Sequence, residues 1–170
     1  MPDFPYRRIV LKLSGETLSG EGKQGIDFER VAALCDELGP VLKSGIEMAL
    51  VLGGGNLFRG RDASALDLDR VAADRMGMLA TILNASALGA ALASRGISVR
   101  VFSAMITQPL AEPYRIEDAR AALEDGQLVL ASGGIGAPFF STDTTAALRA
   151  LELGAEILLK GTKVDGVYES

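Results

Sequence analysis

Three short apolar runs in this chain each end directly in a glycine-rich turn. The runs with their turns are Ile9–Glu16, Ala49–Gly60 and Leu128–Asp143. Short apolar runs rich in β-branched residues are typical of parallel strands that are covered on both faces. If these runs are neighbouring strands of one parallel sheet, their turns open on the same edge, where α/β proteins bind ligands. Glycine lets backbone amides approach phosphate oxygens closely, so the three turns predict an anionic ligand with several phosphates.

Strand-like runs alternate with helical patterns along the chain. Five runs predict buried strands: Arg8–Leu13, Glu47–Leu52, Ser98–Phe102, Gln127–Ala131 and Glu156–Lys160. Four segments predict helices: Phe28–Ser44, Asp69–Ser94, Ile116–Asp125 and Thr142–Glu152. We expect Asp27 to cap the first helix and Pro40 to kink or divide it. The alternation predicts an α/β fold, a three-layer αβα sandwich with a mainly parallel sheet.

The long helical segment Asp69–Ser94 is apolar around more than one face. Two interpretations are open for this helix, and in both of them one face packs on the sheet. The other face is buried in the core of the same chain, or it meets a partner subunit.

Composition limits the chemistry that is available. The 170 residues carry a net charge of -5, no histidine and one cysteine, Cys35. This excludes a Ser-His-Asp triad and an internal disulfide, and it argues against zinc sites and against binding to a nucleic acid polymer. We find no leader and no apolar stretch long enough to span a bilayer, so we expect a cytoplasmic protein without a membrane partner. Phosphoryl transfer remains open, because it rests on positioning and on charge stabilisation.

The first two turns carry candidate phosphate ligands. Lys12 can hold its ammonium over the ligand edge and neutralise a transferring phosphoryl group, or it can extend into solvent. The spacing around it is not that of a Walker A loop. Arg59 can bind phosphate as a bidentate fork, or it can pair with Asp62 or Asp69. Asp74, on the long helix, is either solvated or directed at a polar ligand group such as ribose hydroxyls.

The third turn combines a stiff apolar wall with the start of a helix. Pro138–Phe140 suits stacking of a base or contact with a sugar, and the hydroxyls and amides of Ser141–Thr145 suit an anion. The alternative for Ser141 or Thr142 is plain capping of the helix, with Asp143 favouring the helix dipole.

Five strings along the chain closely resemble the bacterial UMP kinases, which belong to the amino-acid kinase superfamily. They are Lys12–Glu16, Gly53–Gly60, Asp74 with Met76–Thr81, Pro138–Asp143 and Leu159–Gly166. The resemblance runs nearly collinearly from Tyr6 to Tyr168. It implies transfer of the γ-phosphate of ATP to UMP, which gives UDP, with Mg²⁺ held through the ATP phosphates and no metal ligand on the protein.

The resemblance also implies roles for individual residues. Those that would face ATP are Lys12, Leu13, Ser14, Gly15, Gly55, Arg59, Thr162 and Tyr168. Those that would face UMP are Gly54, Asp74, Ile135, Gly136, Ala137, Pro138, Phe139, Phe140, Ser141 and Thr142. Lys12 would stabilise the transition state, and Asp143 would orient lysines or the metal-phosphate group.

Regulation and assembly are implied in the same way. The family is commonly hexameric, so the resemblance implies a homo-oligomer with Asp69–Ser94 at a subunit interface, a GTP activator and a UTP inhibitor. The effector segment would be Gly20, Glu21, Gly22, Lys23, Gln24 and Gly25.

The chain departs from the family pattern in two respects. Ile135 and Ala137 stand where the family usually has threonine and asparagine, which removes a hydroxyl and an amide from the expected UMP site. Family chains also continue beyond Val164–Tyr168, so we expect residues 1–126 to form the acceptor lobe and residues 127–170 to begin an incomplete ATP lobe. The alternatives are a non-catalytic nucleotide-binding storage or regulatory protein on this fold, and a kinase for a carboxylate or carbamate acceptor. The Asp74 and Pro138–Phe140 pattern argues against the second alternative.

Overall fold

The computed structural model describes residues 5–20, 24–59 and 68–161. The strands in this part are β1 (Arg8–Leu13), β2 (Glu47–Leu52), β3 (Val99–Ser103), β4 (Glu112–Pro113), β5 (Leu128–Ser132) and β6 (Ile157–Gly161). The α-helices are α1 (Phe28–Lys43), α2 (Arg70–Ala93), α3 (Ile116–Glu124) and α4 (Thr142–Leu153). A 3-10 helix, Gly15–Leu18, follows β1. The five predicted strands are confirmed, each to within one residue at either end.

The described strands form one sheet in the order β4-β3-β5-β2-β1-β6. Every neighbouring pair in it is parallel. The three glycine-rich turns follow β1, β2 and β5, which lie side by side. The prediction that these turns open on one edge of a parallel sheet is therefore confirmed.

Alternate side chains of the strands point to opposite faces of the sheet, as the pleat requires. Side chains from the first set pack against α1 and α2: Ile9, Met48, Leu50, Leu52, Leu128 and Leu130. Those of the second set pack against α3 and α4: Val10, Ala49, Val51, Phe102, Val129 and Ala131. Helices thus cover both faces of the sheet, and the predicted three-layer αβα sandwich is confirmed.

Helix ends follow the capping signals in the sequence. Asp27 accepts hydrogen bonds from the N–H groups of Glu29 and Arg30 at 2.9 and 3.3 Å. Gly154 ends α4 in the left-handed conformation, with φ of 68°. The expectation that Pro40 divides α1 is wrong, because the helix runs through it to Lys43. The residues beyond Pro40 pack against the core, which offsets the one backbone hydrogen bond that proline cannot donate.

Two elements carry no signal in the sequence. β4 has only two residues, one of them proline, and it pairs with β3 at the edge of the sheet. No apolar run marks so short a strand, and proline is tolerated there because the strand is at the edge. The 3-10 helix after β1 was missed because its glycine predicts only a turn.

The helix α2 corrects the expectation that no apolar stretch of this chain is long enough to span a bilayer. By length and composition alone it could span a membrane. A core helix has the same composition, and α2 packs on the sheet through buried residues such as Ala85, Leu88 and Leu92. Met76, Leu79 and Leu83 form an exposed apolar stripe on α2, at 41, 50 and 55% exposure.

Candidate active site

The first two glycine turns touch backbone to backbone. The Gly53 N–H donates to the Leu13 carbonyl at 2.9 Å. A Cβ placed on Gly15 would lie 2.4 Å from the Gly53 carbonyl oxygen and 2.4 Å from Asn56 Oδ1. Both separations are far below van der Waals contact, so this close approach requires glycine at position 15.

A buried pair of asparagines fixes the second turn against α2. Asn84 Nδ2 donates to Asn56 Oδ1 at 2.7 Å and to the Gly53 carbonyl at 2.8 Å. Asn56 Nδ2 returns a hydrogen bond to Asn84 Oδ1 at 3.1 Å. Asn84 is fully buried, and its amide is satisfied by these partners. Sequence reasoning did not single out Asn84, although a lone amide within an apolar helix was the available signal.

The third turn is built from glycines in the left-handed conformation. Gly133, Gly134 and Gly136 have φ values of 73, 60 and 84°, which other residues rarely adopt. The Gly133 N–H donates to Thr81 Oγ1 at 2.9 Å, so the turn is tied to α2. Ser141 then caps α4 by accepting the Thr144 N–H at 3.1 Å, which is the capping role foreseen for it.

A cleft of about 370 Å³ opens between α2 and the second and third turns. The lining includes eight of the residues predicted to face a nucleotide: Gly54, Gly55, Asp74, Ala137, Phe139, Phe140, Ser141 and Thr142. Ile135, Gly136 and Pro138 belong to the same turn but lie outside the lining. The cleft therefore brings together most of the residues expected to face UMP.

Asp74 fixes the aromatic wall of this cleft. Its Oδ2 accepts the Phe139 N–H at 2.7 Å, and both carboxylate oxygens accept from Arg70 Nε at 2.9 Å. The Arg70 guanidinium also lies 5.8 Å from the centroid of the Phe139 ring. Phe139 has a φ of 74°, a left-handed conformation that these contacts hold in place. Asp74 is thus a cleft residue whose carboxylate already supports the opposite wall.

Beside the cleft, Asp143 bridges two lysines from adjacent strands. Its Oδ1 lies 2.9 Å from Lys12 Nζ, and its Oδ2 accepts from Lys160 Nζ at 2.7 Å. Lys12 on β1 and Lys160 on β6 are register partners, so their side chains leave the same face of the sheet. The Lys12 side chain is only 13% exposed and does not extend into solvent. We call Lys12, Asp143 and Lys160 the lysine cluster.

The lysine cluster carries one net positive charge. The hydrogen bond from Lys160, and then that from Lys12, hold the pKa of Asp143 below its ordinary value, so the carboxylate stays ionised. Both of its oxygens are engaged by lysines, which fits the first of its two expected roles, orienting lysines. Lys160 was missed as a site residue, although a lysine near the end of the fifth strand mirrors Lys12 in the first.

Arg59 belongs to the second turn and contacts the first. Its Nε donates to the Gly55 carbonyl at 2.9 Å, and its Nη2 donates to Glu16 Oε1 at 2.6 Å. The carboxylate that Arg59 contacts is therefore that of Glu16 in the first turn. It is not that of Asp69, one of the two partners predicted from the sequence. The other, Asp62, lies outside the described residues.

Some of the remaining predicted residues lie within the described part of the chain, and the others lie outside it. Leu13 ends β1, and Ser14 Oγ accepts the Glu16 N–H at 3.3 Å at the start of the 3-10 helix. From the effector segment, Gly20 and Gln24 are described, and Gly25 exchanges hydrogen bonds of 2.8 and 2.9 Å with Asn56. Gly25 therefore adjoins the second turn. The predicted residues outside the described part are Glu21, Gly22, Lys23, Thr162 and Tyr168.

The carboxylates of the described residues offer no ready metal cage. In residues 5–20, 24–59 and 68–161, no three Asp, Glu, His or Cys side chains lie together as a metal site would need. Mg²⁺ typically uses one or two carboxylates and completes its shell with water and substrate phosphates. A magnesium ion that arrives on a nucleotide would not need such a cage.

Glycine turns on three adjacent parallel strands, a cleft and a cationic cluster lie at one edge of this α/β protein, the arrangement with which such proteins bind phosphate-bearing ligands. Residues 7–170 match the Amino acid kinase family, and the chain belongs to that family. The structure is similar to that of UMP kinase from Bacillus anthracis, with a TM-score of 0.94, 37% identity and coverage of 98% of this chain and 69% of that chain. It is also similar to UMP kinase from Ureaplasma parvum, with a TM-score of 0.91, 39% identity and coverage of 96 and 72%.

Proposed function

We propose that this protein transfers the γ-phosphate of ATP to UMP and so forms UDP. The observation that carries the proposal is the position of the lysine cluster beside the cleft, at the edge where the three glycine turns meet. Membership of the amino acid kinase family supports phosphoryl transfer, and the two similar UMP kinases support UMP as the acceptor.

In this proposal UMP occupies the cleft, with the uridine against Phe139 and Phe140 and its phosphate towards α4. Thr142 lines the cleft and precedes Asp143 in the chain, so a phosphate there approaches the lysine cluster. ATP lies over the first turn and Gly55, with Arg59 beside its phosphates. This arrangement places the transferring phosphoryl group between two bound nucleotides, where holding both in line supplies much of the rate acceleration.

The lysine cluster stabilises the charge that develops during transfer. Lys12 and Lys160 are held by Asp143 before the ligands bind, so little reorganisation is needed at the moment of reaction. Removing one such preorganised donor lowers turnover by roughly 100-fold to 1000-fold in well-studied enzymes. Mg²⁺, when bound with ATP, neutralises charge on the phosphates.

The oligomeric state, the effectors, the cellular location and the division into lobes are also part of this proposal. The exposed stripe Met76, Leu79 and Leu83 on α2 supports a homo-oligomer assembled through that helix, with a hexamer as the expected form. We assign the effector segment 20–25 to GTP activation, with UTP as an inhibitor, and we place the enzyme in the cytoplasm. We also propose that residues 1–126 form an acceptor lobe and that an ATP lobe begins at residue 127.

An ATP-dependent assay of UDP formation tests the proposal. We expect UDP from UMP and no product from a panel of carboxylate and carbamate acceptors. Lys12→Ala should lower turnover by about 100-fold or more, because the charge on the transferring group loses a preorganised cation. The matched control is Lys43→Ala, an exposed lysine at the end of α1, which should stay within about twofold of wild type.

Two results would contradict parts of this proposal. UMP binding in a calorimeter without any phosphoryl transfer would favour a non-catalytic nucleotide-binding protein. Undiminished turnover in Lys12→Ala would remove Lys12 from its assigned role.

A further inference from the structure

A buried arginine lies behind the third glycine turn. Arg149, on α4, is 4% exposed. Its Nη2 donates to the Gly134 carbonyl at 3.1 Å, and its Nη1 donates to Glu152 Oε2 at 2.5 Å. The guanidinium also lies 3.8 Å from the centroid of the Tyr114 ring. Burying a charge is costly unless it is paired, so a buried arginine in this position needs a structural reason.

The contact with Gly134 fixes the orientation of a peptide at the edge of the cleft. The peptide bond is planar, so a Gly134 carbonyl that points to Arg149 turns the Ile135 N–H in the opposite direction, away from α4. Within the described part of the chain, no protein acceptor meets the Ile135 N–H. Thr81 on α2 holds the preceding Gly133 N–H, so the turn is held from two sides.

The surroundings of Arg149 orient its guanidinium towards this turn. Tyr114 Oη donates to the same Glu152 Oε2 at 3.0 Å, and burial raises the pKa of Tyr114, so the hydroxyl remains a donor. Arg149 Nε is buried without a partner among the described residues. The side chain thus leaves one donor unsatisfied while its two Nη atoms reach Glu152 and Gly134. Only the planar fork of arginine can serve both acceptors together, since lysine offers a single point charge.

We propose that Arg149 is a positioning residue for the acceptor site, which holds the Gly134–Ile135 peptide so that the Ile135 N–H is free to donate to an oxygen of the bound nucleotide. Its role in nucleotide binding rests on the proposed function, whereas its hold on the turn does not. Arg149 acts through the backbone of the third turn and touches no reacting atom.

Amide hydrogen exchange on the unliganded protein tests the hold on the turn. The reporter is the Gly136 N–H, which donates to the Gly133 carbonyl at 3.1 Å across the turn. In Arg149→Lys we expect exchange at Gly136 to be about tenfold faster, with protection of β5 and α4 retained. The matched control is Arg115→Lys, the same change at an exposed arginine that makes no side-chain hydrogen bond to the cap of its helix. Exchange there should stay within about twofold of wild type.

A second variant distinguishes a local effect on the turn from a general loss of folding. Arg149→Met keeps the bulk of the side chain but removes both hydrogen bonds, and should accelerate exchange in the same segment. Unchanged exchange at Gly136 in both folded Arg149 variants would overturn the proposal. So would acceleration spread evenly over the chain, or an equal effect in Arg115→Lys.

Binding measurements then test the link to the nucleotide. By calorimetry we expect Arg149→Lys to weaken UMP binding about tenfold and to leave ATP binding within about twofold, since the third turn faces only UMP. Equal weakening of both ligands would overturn the positioning role. If the wild-type protein binds no UMP, the proposed function fails, while the exchange result still decides whether Arg149 holds the turn.

Discussion

Replacing Gly15 with alanine tests the backbone contact on which the first two turns depend. The added Cβ would lie 2.4 Å from both the Gly53 carbonyl oxygen and Asn56 Oδ1, and 2.9 Å from the Gly53 carbonyl carbon. Ordinary contact at that position needs about 1 Å more, and neither partner can rotate away. The carbonyl is backbone, and Asn56 Oδ1 is held by Asn84 at 2.7 Å.

The cost of Gly15→Ala can be estimated from these contacts. Overpacking of this kind costs about 1–3 kcal/mol, and disturbing the buried amide network adds about 1 kcal/mol. Alanine offsets part of this by about 0.4–1 kcal/mol, because it restricts the unfolded chain. We therefore expect a net loss of about 2 kcal/mol in the free energy of unfolding. For a protein of this size that lowers the melting temperature by about 4–8 °C.

Thermal and urea unfolding followed by circular dichroism measure the effect. The matched control is Gly55→Ala in the neighbouring turn, where, among the described residues, no atom beyond its chain neighbours lies within 4 Å of the added Cβ. Its free energy of unfolding should stay within about 0.5 kcal/mol of wild type. If Gly15→Ala melts as wild type does, or no lower than Gly55→Ala, the two turns do not depend on their close approach and the reasoning fails.

Three further predictions concern charge, buried polarity and assembly. Asp143→Asn should destabilise the protein at about pH 7, and the difference from wild type should shrink as the pH falls through the lowered pKa of Asp143. The sign follows because a depressed carboxyl pKa stabilises the fold only while the group is ionised; melts from about pH 7 to about pH 3 measure it. Asn84→Ala leaves the Gly53 carbonyl and Asn56 Oδ1 without the donor that they share, so chemical unfolding should show a loss of about 3 kcal/mol, and an unchanged midpoint would contradict the network. Leu83→Glu should lower the oligomeric state in sedimentation experiments, and an unchanged state would remove α2 from the interface.

Much of the fold could be predicted from local patterns. Apolar runs located five strands, and Asp27 and Ser141 marked helix ends, because each signal depends only on nearby residues. The pairing of Arg59 with Glu16 could not be predicted from nearby residues. It joins residues 43 positions apart, and the aspartates nearer in the chain were equally plausible partners. The burial of Arg149 is similar, since only the packed fold shows which polar residue of a helix faces inward.

The lysine cluster depends on the order of the strands. Between β5 and β6 the chain forms α4, and in the sheet those two strands are separated by β2 and β1. The helix must therefore cross two strands, and it packs against β1, β2 and β6 on the way. This crossing is what carries Asp143, in the first turn of α4, over the face from which Lys12 and Lys160 emerge. Had β6 joined the sheet beside β3, the same sequence motifs would exist but the lysines would not share a carboxylate. The motifs alone therefore indicate an anionic ligand, and the strand order turns them into a preorganised cationic site.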